Sequence, residues 1–344
     1  MTAIPAIGLS APPLVMGGAG FSYQLHPDPE SLPITEILIR AFELGIRSID
    51  TSPYYEPSEQ LMGAALAHAD IKAKYGRGDY EIMTKVGRIN ENEFDYSPDW
   101  VYKSVARSLE RFQTPYLDVV FCHDVEFVPK QDVITAVGVL LDLQRTGHIR
   151  CIGISGYDID VLVEIAATVL ERLRSAGVNH VFCSSPLAVG LLRKGGIPTG
   201  LTGDWHPAPE GLRASAAEAA TWVENNGNGE TFSSVALQYA IMKAKQNCKA
   251  SFAVSTITGV SSISDLEQNV AAAKEVLKHG SSAESKAPNS LRDYTELDQQ
   301  TLESNAPLFE QARLILGEWV DYDFSSQKSV PVKSQQRKAR GRSN

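Results

Sequence analysis

The chain has 344 residues, of which 43% are hydrophobic, and a formal net charge of −9. That acidic balance excludes general nucleic-acid affinity, which needs a basic face to displace counterions from phosphates. The apolar share is ordinary for a globule with a substantial core, and no run is long and apolar enough to cross a membrane. The opening Met1-Thr2-Ala3-Ile4-Pro5 lacks the basic-then-apolar pattern of a secretory leader. Cys122, Cys151, Cys183 and Cys248 show no Cys-x-x-Cys spacing and read as reduced packing residues, so a cytoplasmic location is expected.

Short apolar runs alternate with longer stretches of helical period. Leu14–Met16 is strand-like and stops at Gly17-Gly18. A helix is predicted over Ile34–Leu44, with apolar residues at Ile34, Ile37, Leu38, Ala41 and Phe42 and a stop at Gly45. Strands follow at Ile46–Ile49, Ile82–Val86 and Leu117–Cys122. Ser97-Pro98-Asp99 between the last two marks a helix start: a serine cap, proline in the first turn, then an acid. A helix over about 130–145 leads to a strand at Ile149–Ile154, and a helix over about 158–175 leads to a strand over Gly177–Cys183. Beyond these, helices are expected over Pro209–Asn225, Ser233–Lys245, Ser264–Lys278 and Asp298–Leu316, with a last strand at Ser251–Ile257. This β-α-β-α rhythm implies parallel strands joined by helical crossovers.

Four polar residues sit where successive strands end. Asp50 follows the second strand, with Tyr55 five residues on; Lys85 lies at the end of the third and His123 at the end of the fourth. Such positions converge on one point when the strands are parallel neighbours, as at the carboxyl end of a β/α barrel. Taken singly, each has a plain structural reading: a cap for Asp50, a half-buried ring for Tyr55, a snorkelling amine for Lys85, a satisfied core imidazole for His123. Taken together at strand ends, the chemical reading prevails. A tyrosine with a free pKa of about 10 moves a proton poorly at neutral pH unless an ammonium favours its phenolate, and a carboxylate keeps that ammonium charged. Tyr55, Lys85 and Asp50 suit those roles. Tyr54 is the rival tyrosine, and the offset from Asp50 favours Tyr55.

In this order the four residues resemble the tetrad of the aldo-keto reductases. Asp50-Thr51-Ser52-Pro53-Tyr54-Tyr55, Ser184-Ser185-Pro186-Leu187…Gly190-Leu191-Leu192 and Trp205-His206-Pro207-Ala208 look most like its branch of L-galactose and NAD-dependent D-arabinose dehydrogenases. The resemblance implies a (β/α)8 TIM barrel over residues 1–324; residues 325–344, rich in Ser, Gln, Lys and Arg with almost no apolar residues, read as a disordered basic tail. His123 would orient the substrate oxygen or relay the proton. Ser155 would hold the nicotinamide carboxamide, and Ser185, Leu187 and Gly190 would line the pyrophosphate loop. The turn from Gly259 through Ser261 and Asp265 to Asn269 would clamp the adenosine. Asp265 stands where NADP users place a cation, so NAD is expected over NADP. The expected substrate is a small sugar or carbonyl compound, with neither nucleic acid nor membrane as partner and no metal-site spacing.

One interval departs from the family pattern. Between Ser155 and Pro186 there is room for a single helix and strand, where the resemblance implies a further strand and helix. Either the barrel lacks one β/α unit or the sequence lacks an internal segment. The leading reading is an NAD-dependent oxidoreductase that oxidises an aldose to its lactone. The alternatives are NAD(P)H-dependent reduction of a non-sugar aldehyde or ketone, or a catalytically impaired nucleotide-binding relative.

Overall fold

The computed structural model describes residues 12–173, 179–192, 196–197, 206–249, 252–280, 290–322 and 324. The tail predicted over 325–344 lies outside the described residues.

Seven parallel strands form one sheet: β1 (Leu14–Gly17), β2 (Ser48–Asp50), β3 (Glu81–Val86), β4 (Leu117–Cys122), β5 (Ile149–Ile154), β6 (His180–Ser184) and β7 (Ala253–Gly259). Their order across the sheet is β5-β4-β3-β2-β1-β7-β6. Neighbours in sequence are neighbours in space except at one place. β5 and β6 stand at opposite edges, and among the described residues no ladder joins them. Among the described residues this is the β/α barrel design with one position between β5 and β6 unfilled. The consequence shows in burial: β4 is buried throughout, whereas β5 and β6 are mostly half-buried or exposed. An edge strand lacks a neighbour on one side, and β-branched Val181 is left 36% exposed there.

The pleat divides the side chains between two cores. Leu14, Met16, Ile49, Ile82 and Val120 face the helical layer and join a large cluster with helix residues such as Ile37, Phe42 and Val105. Val15, Met83, Val119, Phe121 and Ile257 face inward, with Cys151 and Phe182 packed against them. The Phe121 and Phe182 rings meet edge to face at 5.9 Å, which fills the interior beside the unpaired edges. Gly153 makes room for this packing, because a Cβ there would lie 2.2 Å from the Phe121 ring.

The helix starting at Pro98 is capped as its sequence demands, Ser97 Oγ accepting the Trp100 N–H. The helix expected to reach Lys278 stops at Val276. From there Leu277–His279 pairs antiparallel with Tyr294–Leu297. A second small hairpin, Arg88–Asn90 with Glu93–Phe94, leaves the end of β3.

Inside the barrel, His180 stacks on Phe182 at 3.9 Å and shares a hydrogen bond with Ser255 Oγ at 2.9 Å. Burial pushes its pKa down to about 4. An unfolded histidine titrates near 6.5, so between these values the unfolded chain holds a proton that the folded chain refuses. Stability supplied by His180 is therefore lost as pH falls through that window. Denaturant unfolding at about pH 7 and about pH 5 should show this loss in the native protein and less of it in His180→Phe. Identical pH responses would exclude the assignment.

Candidate active site

Parallel register brings the polar strand ends together. Gly17 lies opposite both Asp50 and Gly259, Asp50 opposite Met83, and Cys122 opposite both Val86 and Ile154. Asp50, Lys85, His123, Ser155 and Gly259 thus share one rim, the carboxyl end of the sheet, where barrel folds place their chemistry.

Lys85 Nζ donates to Asp50 Oδ2 at 2.8 Å and to Thr51 O at 2.8 Å. All of this is buried, with Asp50 6% and Lys85 7% exposed. Burial raises the Asp50 pKa, and the adjacent ammonium works against that rise. Asp50 Oδ1 is buried with no hydrogen-bond partner.

A turn closed by Tyr55 N–H to Ser52 O, at 2.9 Å, carries the tyrosine over this pair. The Lys85 ammonium lies 5.1 Å from the Tyr55 ring centre. The ring meets the His123 imidazole edge-on at 5.7 Å. Among the described residues the Tyr55 hydroxyl makes no hydrogen bond. The sequence led us to expect a phenol acidified by Lys85, and the structure reverses the sign. Burial pushes the Tyr55 pKa well above its ordinary value; Asp50, Asp124 and Tyr157 push it further, and Arg88 opposes them. The reason is local: Asp50 neutralises Lys85, so the phenolate would lose water without gaining a free cation. Tyr55 in this state holds its proton.

His123 is 4% exposed. Its backbone N–H donates to Val86 O at 2.9 Å, its carbonyl accepts from the Tyr96 hydroxyl, and its Nδ1 lies 3.1 Å from Ser52 Oγ. Burial, then the charges of Lys85 and Arg88, hold its pKa well below 6.5, so the imidazole is neutral.

Several neighbours escaped the sequence reading. Arg88 pairs with Asp124, and its guanidinium lies 4.2 Å over the Tyr54 ring. Gly87 turns the chain there at φ +101°, with the Tyr96 ring where a Cβ would stand. Tyr157, after β5, lies near enough to Ser185, after β6, for that hydroxyl to work against the rise that burial imposes on its pKa. The only sequence signals were the Arg in Lys85-Val86-Gly87-Arg88 and the acid directly after His123. His206, which lies outside the helices and strands, is buried and its Nε2 is 3.2 Å from Ala188 O.

The expected cofactor residues lie along the same rim. Ser155 Oγ donates to Cys122 O at 3.2 Å and keeps its lone pairs. Ser185 stands at φ 58°, and Leu187 opens the turn Ala188–Gly190 that ends in Gly190 at φ 94°. Asp265 Oδ2 accepts from Ser261 N at 3.0 Å and from Ser261 Oγ at 2.7 Å. Asn269 Nδ2 reaches Gly259 O at 3.4 Å. The space beside Gly259 is open, and the partnerless Asp50 Oδ1 lies two strands away on the same rim. These residues fit an extended nicotinamide dinucleotide. No group of residues with metal-binding character occurs among the described residues.

The model of the Aldo/keto reductase family matches residues 13–172 and 165–287. The chain belongs to the aldo/keto reductase family. It is 39% identical over 262 residues to D-arabinose 1-dehydrogenase of Saccharomyces cerevisiae, covering 67% of this chain and 76% of that protein. It is 33% identical over 300 residues to L-galactose dehydrogenase of Arabidopsis thaliana, covering 79% and 85%. Among solved structures, an aldo-keto reductase from Bacillus halodurans superposes with a TM-score of 0.52 over 84% of this chain and 94% of that one, at 20% identity. As a member of this family the protein is a nicotinamide-dependent oxidoreductase with a β/α barrel fold, and no described helix is long and apolar enough to cross a membrane.

Proposed function

We propose that this aldo/keto reductase is a cytoplasmic aldose dehydrogenase that uses NAD and converts the anomeric C–OH of a sugar to a lactone. The carrying observation is the meeting of Tyr55, Lys85, Asp50 and His123 at one rim, in a chain similar to two proteins named as sugar dehydrogenases. When bound, the nicotinamide accepts or gives the hydride. In oxidation the anomeric carbon gives up its hydrogen with the electron pair, and the hydroxyl proton leaves through Tyr55. The products are lactone, reduced cofactor and a proton. Neutral His123, fixed by Ser52 and Tyr96, orients the sugar oxygen. Lys85, held by Asp50, keeps its ammonium 5.1 Å from the Tyr55 ring centre, and the pair orients the phenol for proton transfer.

NAD is favoured over NADP because Asp265 is fixed by Ser261 and no Lys or Arg occurs from Gly259 to Asn269. A 2′-phosphate would meet an anion there instead of a cationic fork. Following cofactor reduction with D-arabinose and L-galactose, kcat/KM for NAD should exceed that for NADP by about tenfold or more, since each 1.4 kcal/mol is tenfold. Asp265→Lys should narrow the gap. Preference for NADP in the native protein would overturn the NAD assignment, and no oxidation of any aldose by folded protein would overturn the sugar assignment.

A further inference from the structure

The rim contains one acid that the proton-transfer scheme does not use. Asp124 directly follows His123, is 5% exposed and sits in the left-handed region at φ 56°, ψ 58°. A non-glycine residue in this conformation is held there by its surroundings. Those surroundings are visible. Phe127 N–H donates to Asp124 O at 3.3 Å, Val125 N–H donates to Ser155 O at 3.1 Å, and Tyr96 holds the His123 carbonyl.

The two carboxylate oxygens have different fates. Oδ2 accepts from Arg88 Nη1 and lies 3.5 Å from His123 Nε2, at the outer limit of a hydrogen bond. Oδ1 has no partner among the described residues, and unlike Asp50 Oδ1 it is not sealed from solvent. Arg88 itself is committed: it also donates to Glu91 O at 3.0 Å and stacks on Tyr54. Burial raises the Asp124 pKa, the Arg88 guanidinium works against that rise, and one oxygen is left open. The field of the carboxylate reaches Tyr54, Tyr55 and Tyr157, which places it in the same recess as the phenol.

An open carboxyl oxygen beside the imidazole has a defined chemical complement. If His123 Nε2 meets the reacting oxygen, a group bonded to Asp124 sits on the adjacent carbon, because vicinal oxygens lie about a hydrogen-bond length apart. We propose that Asp124 is a specificity-determining residue whose free carboxylate oxygen accepts a hydrogen bond from the hydroxyl next to the reacting carbon. The pocket thereby selects 2-hydroxylated carbonyl compounds, and sugars bearing a 2-hydroxyl, over their 2-deoxy counterparts. This inference rests on the proposed reaction between Tyr55 and His123, and it narrows the substrate class. A site built to bond a hydroxyl rejects the analogue lacking it, because the acceptor is then covered by substrate and left unpaired.

The test compares kcat/KM within substrate pairs, so that a general loss of activity cancels. One pair is oxidised: D-arabinose against 2-deoxy-D-ribose. The other is reduced: 2-hydroxypropanal against propanal. In the native protein the hydroxylated member should be preferred by about ten- to a hundredfold, the range expected for a hydrogen bond to a charged group. In Asp124→Ala the preference should fall to within a few-fold of unity. Asp124→Asn tolerates the left-handed backbone, keeps an acceptor and loses the charge, and should fall between. A native protein without preference, or one whose preference survives both substitutions, overturns the inference. If aldoses are not oxidised but 2-hydroxypropanal is still preferred through Asp124, the inference stands and the sugar reading falls.

Discussion

Tyr55→Phe should lose about 10²- to 10⁴-fold in kcat, the range for removing a positioned acid–base group, while cofactor binding persists. The substitution removes one oxygen. The ring keeps its contacts with His123 at 5.7 Å and with Tyr54 at 5.8 Å, and no hydrogen bond among the described residues is broken. Stability should therefore stay within about 0.5 kcal/mol of the native value. Lys85→Met is a poorer probe of the same chemistry, because it strands the buried Asp50 carboxylate and costs about 3–5 kcal/mol of stability. Tyr54→Phe is the control: that ring lies under Arg88, and its loss of a hydroxyl should affect turnover far less. The direction of the Tyr55 shift adds a second readout. With its pKa well above the ordinary 10.0, Tyr55 is protonated at neutral pH. Carbonyl reduction, which needs that proton, should be flat through neutrality. Alcohol oxidation, which needs the phenolate, should climb with pH. Titrating cofactor into Tyr55→Phe by fluorescence and measuring both reaction directions across pH decides the matter. Native-like turnover in the variant would remove Tyr55 from the chemistry.

The strand ends and the parallel arrangement were legible because they depend on local pattern: apolar runs of strand length, helical period between them, and a polar residue where each run stops. The Ser97 cap was legible for the same reason. What escaped the sequence depends on register and burial. Arg88 meets Asp124 only because Val86 is paired with Cys122 and a hairpin turns back at Gly87. The strand Leu277–His279 looked like the end of a helix because its partner, Tyr294–Leu297, lies well downstream. The sign of the Tyr55 shift was missed because it turns on how much water the folded rim excludes, and on Lys85 being spent on Asp50. The shortness of the interval before Pro186 was legible. That β5 and β6 become edges, with Phe121 and Phe182 packed between, needed the fold.

A stability effect as large as that of Lys85→Met should come from the opposite end of the barrel, at an acid far from the chemistry. Asp118 is fully buried near the amino end of β4. Its Oδ2 accepts from Arg77 Nη2 at 2.6 Å and from the Ile82 backbone N–H at 2.8 Å, and its Oδ1 accepts from Arg150 Nη1 at 2.9 Å. One carboxylate thus ties β4 to β3, to β5 and to the turn before β3. Arg77 is anchored besides by Thr114 Oγ1 at 2.7 Å, Tyr80 O at 2.8 Å and the Tyr116 ring at 3.9 Å, so it cannot swing out to water without breaking those contacts. Asp118→Ala leaves two mostly buried guanidiniums without their counter-charge and an N–H without an acceptor. The expected cost is about 3–5 kcal/mol, the range for breaking a buried pair from one side. Against the usual 5–15 kcal/mol of a folded domain, that is a large share of the total. Asp118→Asn keeps an acceptor for Ile82 and should lose less. Five residues of strand, about 16 Å, separate Asp118 from His123. Per folded molecule, kcat should therefore be unchanged at a temperature where both proteins are native. Urea unfolding measures the first quantity and active-site titration the second. A cost below about 1 kcal/mol in Asp118→Ala would show that the two arginines find other partners, and that the acid is not what fastens β5 to the rest of the sheet.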